Sequence, residues 1–125
     1  MSLYNFQWFI VGQFAGGGKP CYPEDVAWLV QQGFSAIVSL ETTSSVVDRL
    51  LTQHGFCRHT VAVETDDHDD IIAPSESELA TAAAFVRTAI SAGRRVYLHC
   101  NTGIQRTPYV ARRILPLLGL GTADP

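Results

Sequence analysis

A cysteine and an arginine separated by five residues form the part of this sequence best suited to chemistry. Cys100 follows a short apolar run, Val96 to Leu98, that predicts a buried strand, and Arg106 precedes a predicted helix with Pro108 at its first position. A loop between a strand and a helix can bind phosphate, because the first N–H groups of the helix have no partner inside it and the positive end of the helix dipole points toward the loop. The same field favours a cysteine thiolate, and an arginine can grip two phosphate oxygens at once. The spacing therefore predicts a phosphate-binding loop that carries a sulfur nucleophile.

The wider pattern around this pair resembles the cysteine-dependent protein tyrosine phosphatases, in their small atypical dual-specificity branch. Five residues match the signature H-C-x-x-G-x-x-R-[S/T], namely His99, Cys100, Gly103, Arg106 and Thr107. The stretch from Asn5 to Gly16 is also similar to the first strand and turn of that branch, so the likeness covers nearly the whole chain. The resemblance implies an α/β phosphatase fold and hydrolysis of phosphomonoesters through a cysteinyl-phosphate intermediate.

The resemblance also implies a role for each residue of the signature. Cys100 is expected to attack phosphorus, Arg106 to bind the phosphate and its transition-state charge, and Thr107 to assist release of the thiolate in the second step. His99 is expected to hold the loop by hydrogen bonding. The phosphate cradle is expected to comprise Asn101, Thr102, Gly103, Ile104, Gln105 and Arg106. The structural alternatives are an inert buried thiol for Cys100 and a plain helix cap for Thr107.

The sequence predicts a strongly acidic loop from Glu64 to Ala73. The general acid is expected in this loop, since the resemblance places an aspartate just after the strand that precedes the long helix. Counting forward along that strand points to Thr65 and the adjacent Asp66, whereas counting back from the helix points to Asp70. Asp66 is favoured because the strand end fixes direction better, with Asp67 and Asp70 as alternatives. A divalent-ion site is the less favoured interpretation because the spacing matches no calcium-loop pattern. Neither a metal nor a cofactor is expected.

Strand and helix patterns alternate along the chain. This alternation predicts a central, mostly parallel sheet flanked by helices on both faces, with the site beyond the carboxyl ends of the strands. All 125 residues (1–125) are expected to form a single domain. Strands are predicted over 7–11, 36–40, 56–63 and 96–98, a loop over 16–20, and helices from Pro23 to Gly33, from Ser44 or Ser45 to Gly55, and from Ser75 to Gly93.

The end of the chain departs from the resemblance. Pro116 predicts that the helix after the signature stops or kinks near Leu115. Members of the family usually continue with further helices, so a shortened C-terminal helical part is expected. Three explanations stay open: a naturally minimal domain, a fragment, or a homo-oligomer in which a partner covers the exposed apolar face.

The composition of the chain restricts the binding partners and the cellular compartment that can be expected for it. Nine basic and twelve acidic residues give a net charge of −3, which argues against general nucleic-acid binding and against anionic membranes. No apolar run approaches the roughly 20 residues of a membrane span, and the first residues do not resemble a signal peptide. The three cysteines show no metal-ligand spacing and no even pairing, so a reducing cytoplasm is expected.

The expected substrate is a phosphorylated protein or a small phosphomonoester. Two other functions stay open from the sequence. One is a catalytically impaired phosphate-binding module, or pseudophosphatase. The other is an RNA 5′-phosphatase, against which the acidic balance weighs.

Overall fold

A computed structural model describes residues 3–61, 64–65, 71–72, 74–101 and 106–119. These residues form seven strands, four α-helices and one short 3-10 helix. The strands are β1 (Gln7–Ile10), β2 (Phe14–Gly17), β3 (Phe34–Ser39), β4 (Cys57–Thr60), β5 (Glu64–Thr65), β6 (Ile71–Ile72) and β7 (Arg95–His99). The helices are α1 (Pro23–Gln31), α2 (Ser45–Gln53), α3 (Glu76–Ser91) and α4 (Arg106–Ile114), and the 3-10 helix is Leu115–Leu117.

Five of these strands build one sheet in the order β1-β2-β7-β3-β4. Strand β7 lies at its centre, parallel to β2 on one side and to β3 on the other. Strand β4 continues the parallel arrangement beside β3, and β1 closes the other edge antiparallel to β2. Strands β5 and β6 form a separate antiparallel pair. The predicted α/β fold with a mostly parallel sheet is confirmed.

The sheet separates two hydrophobic clusters, because successive side chains of a strand point to opposite faces. Leu98 of β7 packs in one cluster with buried side chains of α3 and α4, including Val86 and Val110. Tyr97 packs in the other cluster with buried side chains of α1 and α2 such as Leu29 and Leu51. Helices therefore cover both faces of the sheet, as the alternation of strands and helices predicts.

Serine caps begin two of the helices where the sequence predicts them. The Ser44 hydroxyl accepts a hydrogen bond from Val47 N at 3.2 Å. At the start of α3, Ser75 Oγ accepts from Glu78 N at 3.1 Å, and Ser75 N donates to Glu78 Oε1 at 2.9 Å. This reciprocal pair satisfies N–H groups that have no partner inside the helix.

Three predictions about local structure were wrong. The loop predicted over 16–20 begins later, since Gly16 and Gly17 belong to strand β2, which is paired on both sides. The helix after the signature begins at Arg106 rather than Pro108; proline is tolerated there because first-turn N–H groups lack helical partners. The acidic segment 64–73, predicted as a loop, contains the antiparallel β5–β6 pair.

The predicted stop of the helix near Leu115 is confirmed. Helix α4 ends at Ile114, and the 3-10 helix that carries Pro116 follows directly. A proline cannot donate the hydrogen bond that would continue an α-helix through this position. Among the helices that the structure describes, none is both long enough and apolar enough to cross a bilayer.

Candidate active site

The sulfur of Cys100 lies where the central strand of the sheet ends. Cys100 follows β7 directly, is 2% exposed, and packs in the cluster formed with α3 and α4. Helix α4 then begins at Arg106, so the signature connects the carboxyl end of a central parallel strand to a helix start. This is the edge at which open parallel sheets bind ligands. Thr102, Gly103, Ile104 and Gln105 of the predicted cradle lie outside the described residues.

His99 is fully buried at the end of β7 and has a hydrogen-bond partner for each ring nitrogen. Its Nδ1 lies 2.9 Å from the carbonyl oxygen of Cys100, and its Nε2 lies 2.7 Å from Ser39 Oγ at the end of β3. Burial lowers the pKa of His99 to about 4, although the hydrogen bond to the Cys100 carbonyl opposes that shift. The ring is therefore neutral near pH 7, which fits a histidine that holds the loop rather than one that carries protons.

The backbone at the entrance to the loop is fixed by two successive carbonyl groups. The Cys100 carbonyl contacts His99, and the Asn101 carbonyl accepts a hydrogen bond from Lys19 N at 2.9 Å. Lys19 follows β2 by two residues, so the strand on one side of β7 supplies this second contact. On the other side, Leu40 N donates to the His99 carbonyl at 2.9 Å. Both neighbours of β7 thus hold the segment that carries the cysteine.

Glu41 joins two cations beside this loop. Its carboxylate accepts a hydrogen bond from Arg106 Nη2, and its second oxygen lies 3.4 Å from Lys19 Nζ. The three side chains are only 18% to 31% exposed. Burial alone would raise the pKa of Glu41, but the hydrogen bond and charge of Arg106, assisted by Lys19, hold it below the usual value. Glu41 is therefore an anion that orients the guanidinium predicted to bind phosphate.

Thr107 is fully buried against the glycine-rich strand β2. Its hydroxyl donates to the Gly17 carbonyl across a distance of 3.4 Å, which is long for such a bond. A Cβ on Gly16 would lie 2.6 Å from Thr107 Cγ2, and one on Gly17 would lie 2.7 Å from Tyr97 Oη. The glycines of β2 therefore let this strand approach the signature helix and the central strand closely.

A polar cleft of about 230 Å³ adjoins the loop on the β3–β4 side. Ser39 and Glu41 line it, so the cleft borders both the His99 contact and the Arg106 contact. Asp48 and Arg58 form an ion pair in its wall, with 2.7 Å between Arg58 Nη2 and Asp48 Oδ1. The remaining lining residues are Thr42, Thr43 and Thr60.

The structure thus adds three residues that the sequence analysis missed. Ser39 is the last residue of β3, and Glu41 and Lys19 each lie two residues beyond a strand that flanks β7. Their position at or just after the end of a strand could have identified them, because the carboxyl ends of parallel strands meet at one edge of a sheet. The predicted general acid, Asp66, and its alternatives, Asp67 and Asp70, lie outside the described residues.

Comparison with known proteins places this arrangement in a family. A family model described as "Tc-R-P: Polymorphic toxin system, DSP-PTPase phosphatase" matches residues 13–116, which include every strand of the sheet except β1. The chain belongs to this family. It is therefore a member of the cysteine-based phosphatases of the dual-specificity type, as the signature predicts. No curated protein matches the chain.

Solved phosphatase structures share the fold at low sequence identity. The core catalytic domain of the PP-IP phosphatase SIW14 from S. cerevisiae, in complex with citrate, has a TM-score of 0.72 and 20% identity, covering 89% of this chain and 64% of that one. A putative phosphatase from Shewanella putrefaciens has a TM-score of 0.68 and 18% identity, covering 89% and 67%. Kinase associated phosphatase, with its catalytic cysteine replaced by serine, has a TM-score of 0.72 and 17% identity, covering 98% and 79%. The chain therefore spans less than two thirds of the SIW14 core.

Proposed function

We propose that this chain hydrolyses phosphomonoesters of the protein tyrosine and dual-specificity type through a cysteinyl-phosphate intermediate on Cys100. One observation carries the proposal. A buried cysteine ends the central parallel strand, and Arg106 opens the helix that follows the intervening loop. A thiol in that position experiences the positive end of the helix dipole and the charge of the guanidinium, both of which favour thiolate.

In the first step, the Cys100 thiolate attacks phosphorus, the sulfur–phosphorus bond forms, and the bond to the leaving oxygen breaks. Backbone N–H groups of residues 101–106 and the Arg106 guanidinium bind the three remaining phosphate oxygens and the charge that develops on them. The leaving oxygen takes a proton from a carboxylic acid, for which Asp66 is our first candidate and Asp67 and Asp70 are the alternatives.

In the second step, water attacks the cysteinyl phosphate and releases inorganic phosphate and the thiolate. We assign Thr107 to this step, as a hydroxyl that donates to the departing sulfur. Its contact to the Gly17 carbonyl is long at 3.4 Å, so exchanging that partner costs little. Glu41 supports both steps indirectly, since it fixes the orientation of Arg106.

The substrates that we propose are phosphorylated proteins or small phosphomonoesters. The family is described as part of polymorphic toxin systems, and we propose that the activity serves such a system. A reducing cytoplasm would keep the Cys100 sulfur in the reduced form that this chemistry needs. We further propose that the chain is a single domain and that it can form a homo-oligomer.

Turnover of p-nitrophenyl phosphate by the wild type, Cys100→Ser and Arg106→Lys tests the proposal. Cys57→Ser is the matched control because Cys57 is a partly buried cysteine in β4, away from the loop. Both site variants should lose at least about 10³-fold in kcat, whereas the control should keep it. Phosphate binding without turnover by the wild type would instead identify a pseudophosphatase.

The same substrate series can find the general acid. Asp66→Asn, Asp67→Asn and Asp70→Asn are compared on phenyl phosphate, a poor leaving group, and on p-nitrophenyl phosphate, a good one. The acid's variant should lose roughly 10²- to 10⁴-fold on the first and much less on the second. Equal behaviour of all three variants and the wild type would show that none of these three aspartates is the general acid.

A further inference from the structure

We propose that Ser39 is a positioning residue that fixes the tautomer of His99 and, through it, the peptide group that opens the phosphate loop. The catalytic part of this inference rests on the proposed function, whereas the tautomer itself does not. No residue of the sequence motif points to Ser39, which reaches the site only because β3 pairs with β7.

The two distances around the imidazole determine where its proton lies. A carbonyl oxygen can only accept, so the 2.9 Å contact between His99 Nδ1 and the Cys100 carbonyl requires a proton on Nδ1. A neutral ring then has an unprotonated Nε2, which must accept. The Ser39 hydroxyl, 2.7 Å from Nε2, is the donor. Since His99 is fully buried and Ser39 is only 5% exposed, this donor is not readily replaced by bulk water.

The consequence passes along one connected set of hydrogen bonds. The hydroxyl of Ser39 donates to the ring, the ring donates to the Cys100 carbonyl, and that carbonyl shares its peptide group with the N–H of Asn101. Hydrogen bonds in such a series polarise one another, so the Asn101 N–H becomes a better donor at the start of the loop. The Asn101 carbonyl, which belongs to the next peptide group, accepts a hydrogen bond from Lys19 N, so Asn101 is held on its other side as well.

The electrostatic surroundings of His99 come from several elements. Lys19 after β2, Glu41 after β3 and Arg58 of β4 act on the ring by charge, and the Tyr97 ring stacks on it with 6.5 Å between centroids. Burial has the largest effect and disfavours a protonated imidazole, and the charges of Lys19 and Arg58 act in the same direction. The hydrogen bond to the Cys100 carbonyl and the charge of Glu41 favour protonation but do not offset the burial. The ring therefore needs a partner that donates to Nε2, and Ser39 supplies it.

Nitrogen-15 NMR of the imidazole, recorded on the folded chain near pH 7, tests the tautomer directly. His99→Asn identifies the His99 signals by their loss. The wild type should show a protonated Nδ1 and an unprotonated Nε2. A protonated Nε2 in the wild type would overturn the proposal, whatever the activity of the chain.

Three variants then test the role of the hydroxyl. Ser39→Ala removes the donor, Ser39→Thr retains it, and Ser35→Ala makes the same chemical change at the opposite end of β3. Ser39→Ala should lose the wild-type tautomer pattern, and the pH profile of Cys100 alkylation by iodoacetamide should move upward by about half a unit to one unit. Its kcat/KM on p-nitrophenyl phosphate should fall about 3- to 10-fold.

The outcomes separate this inference from the proposed function. Ser39→Thr should recover the tautomer and the alkylation profile, and Ser35→Ala should leave both unchanged. Wild-type spectra and alkylation in a folded Ser39→Ala variant would refute the role of Ser39. If Ser39→Ala does not fold, the wild-type spectrum and Ser39→Thr decide the question. Undiminished turnover by Cys100→Ser would overturn the proposed function while the tautomer assignment stands.

Discussion

Replacing Gly16 by alanine should damage the site through packing alone. A Cβ at this position would lie 2.6 Å from Thr107 Cγ2, 2.7 Å from the Leu98 carbonyl oxygen and 2.7 Å from Phe9 Cε2. Phe9 can move, because it is only partly buried. The Leu98 carbonyl belongs to the central strand two residues before Cys100, and Thr107 is fully buried, so neither can yield without moving the site.

The magnitude follows from these contacts. An ordinary van der Waals separation starts at 3.4 Å, so β2 and β7 would have to separate locally by roughly 0.7 Å. Overpacking of this kind costs about 1–3 kcal/mol, and the smaller conformational freedom of unfolded alanine recovers about 0.4–1 kcal/mol. We expect the free energy of unfolding to fall by about 1–2 kcal/mol. If the proposed site is catalytic, misplacing its groups by a fraction of an ångström should lower kcat/KM about 10- to 100-fold.

Gly12→Ala is the matched control. A Cβ on Gly12 would meet nothing within 4 Å, but the residue has a φ of 78°, which alanine rarely adopts. That strain costs about 1–2 kcal/mol, so the two variants should have similar stability in urea. They should differ on p-nitrophenyl phosphate, where only Gly16→Ala loses activity. Wild-type stability together with wild-type turnover in Gly16→Ala would show that the close approach of β2 does not support the site.

Three further predictions concern the polar groups around the loop. Glu41→Gln should lower kcat/KM about 2- to 5-fold because Arg106 loses an ionic partner that is partly screened by solvent, and the deficit should shrink at high salt; an unchanged kcat/KM would contradict this role. Tyr97→Phe removes the 2.7 Å hydrogen bond to the Gly18 carbonyl, so the free energy of unfolding measured in urea should fall by about 1–3 kcal/mol. A fall of less than about 0.5 kcal/mol would contradict this role of the hydroxyl. As pH falls from 6.5 to 4, the unfolded chain protonates His99 first because its folded pKa is lowered to about 4. The free energy of unfolding of the wild type should therefore fall by up to about 3 kcal/mol relative to that of His99→Asn over that range. Parallel plots of this free energy against pH for the two proteins would refute the lowered pKa.

The parts of the candidate site that can be predicted from the sequence are those that are contiguous in the chain. Cys100, Arg106 and the strand before them can be identified together because the chemistry requires a fixed number of residues between a strand end and a helix start. The fold class follows from the alternation of strands and helices, which depends on local hydrophobic periodicity. Both predictions use only residues that lie close to one another in the sequence.

The contacts that support the loop could not be predicted in this way. Ser39 lies 60 residues from its partner His99, and Glu41 lies 65 residues from Arg106. Only the order of strands in the sheet brings these pairs together. Strand β2 was missed for a related reason, since its Phe-Ala-Gly-Gly sequence is typical of a turn. Pairing on both sides overrides that local preference, and the close approach to Thr107 requires glycine.

The strand order also explains how a short chain can support this loop. Lys19 and the Gly17 carbonyl come from β2 and its end, whereas Ser39 and Glu41 come from β3 and its end, and these two strands are the direct neighbours of β7. All four residues lie within positions 13–116, the segment that the family model matches. These supports come from the strands of the sheet and from the residues that directly follow them, and none of them comes from the 3-10 helix after α4. Loss of activity should therefore follow changes on β2 and β3 more closely than changes in the 3-10 helix.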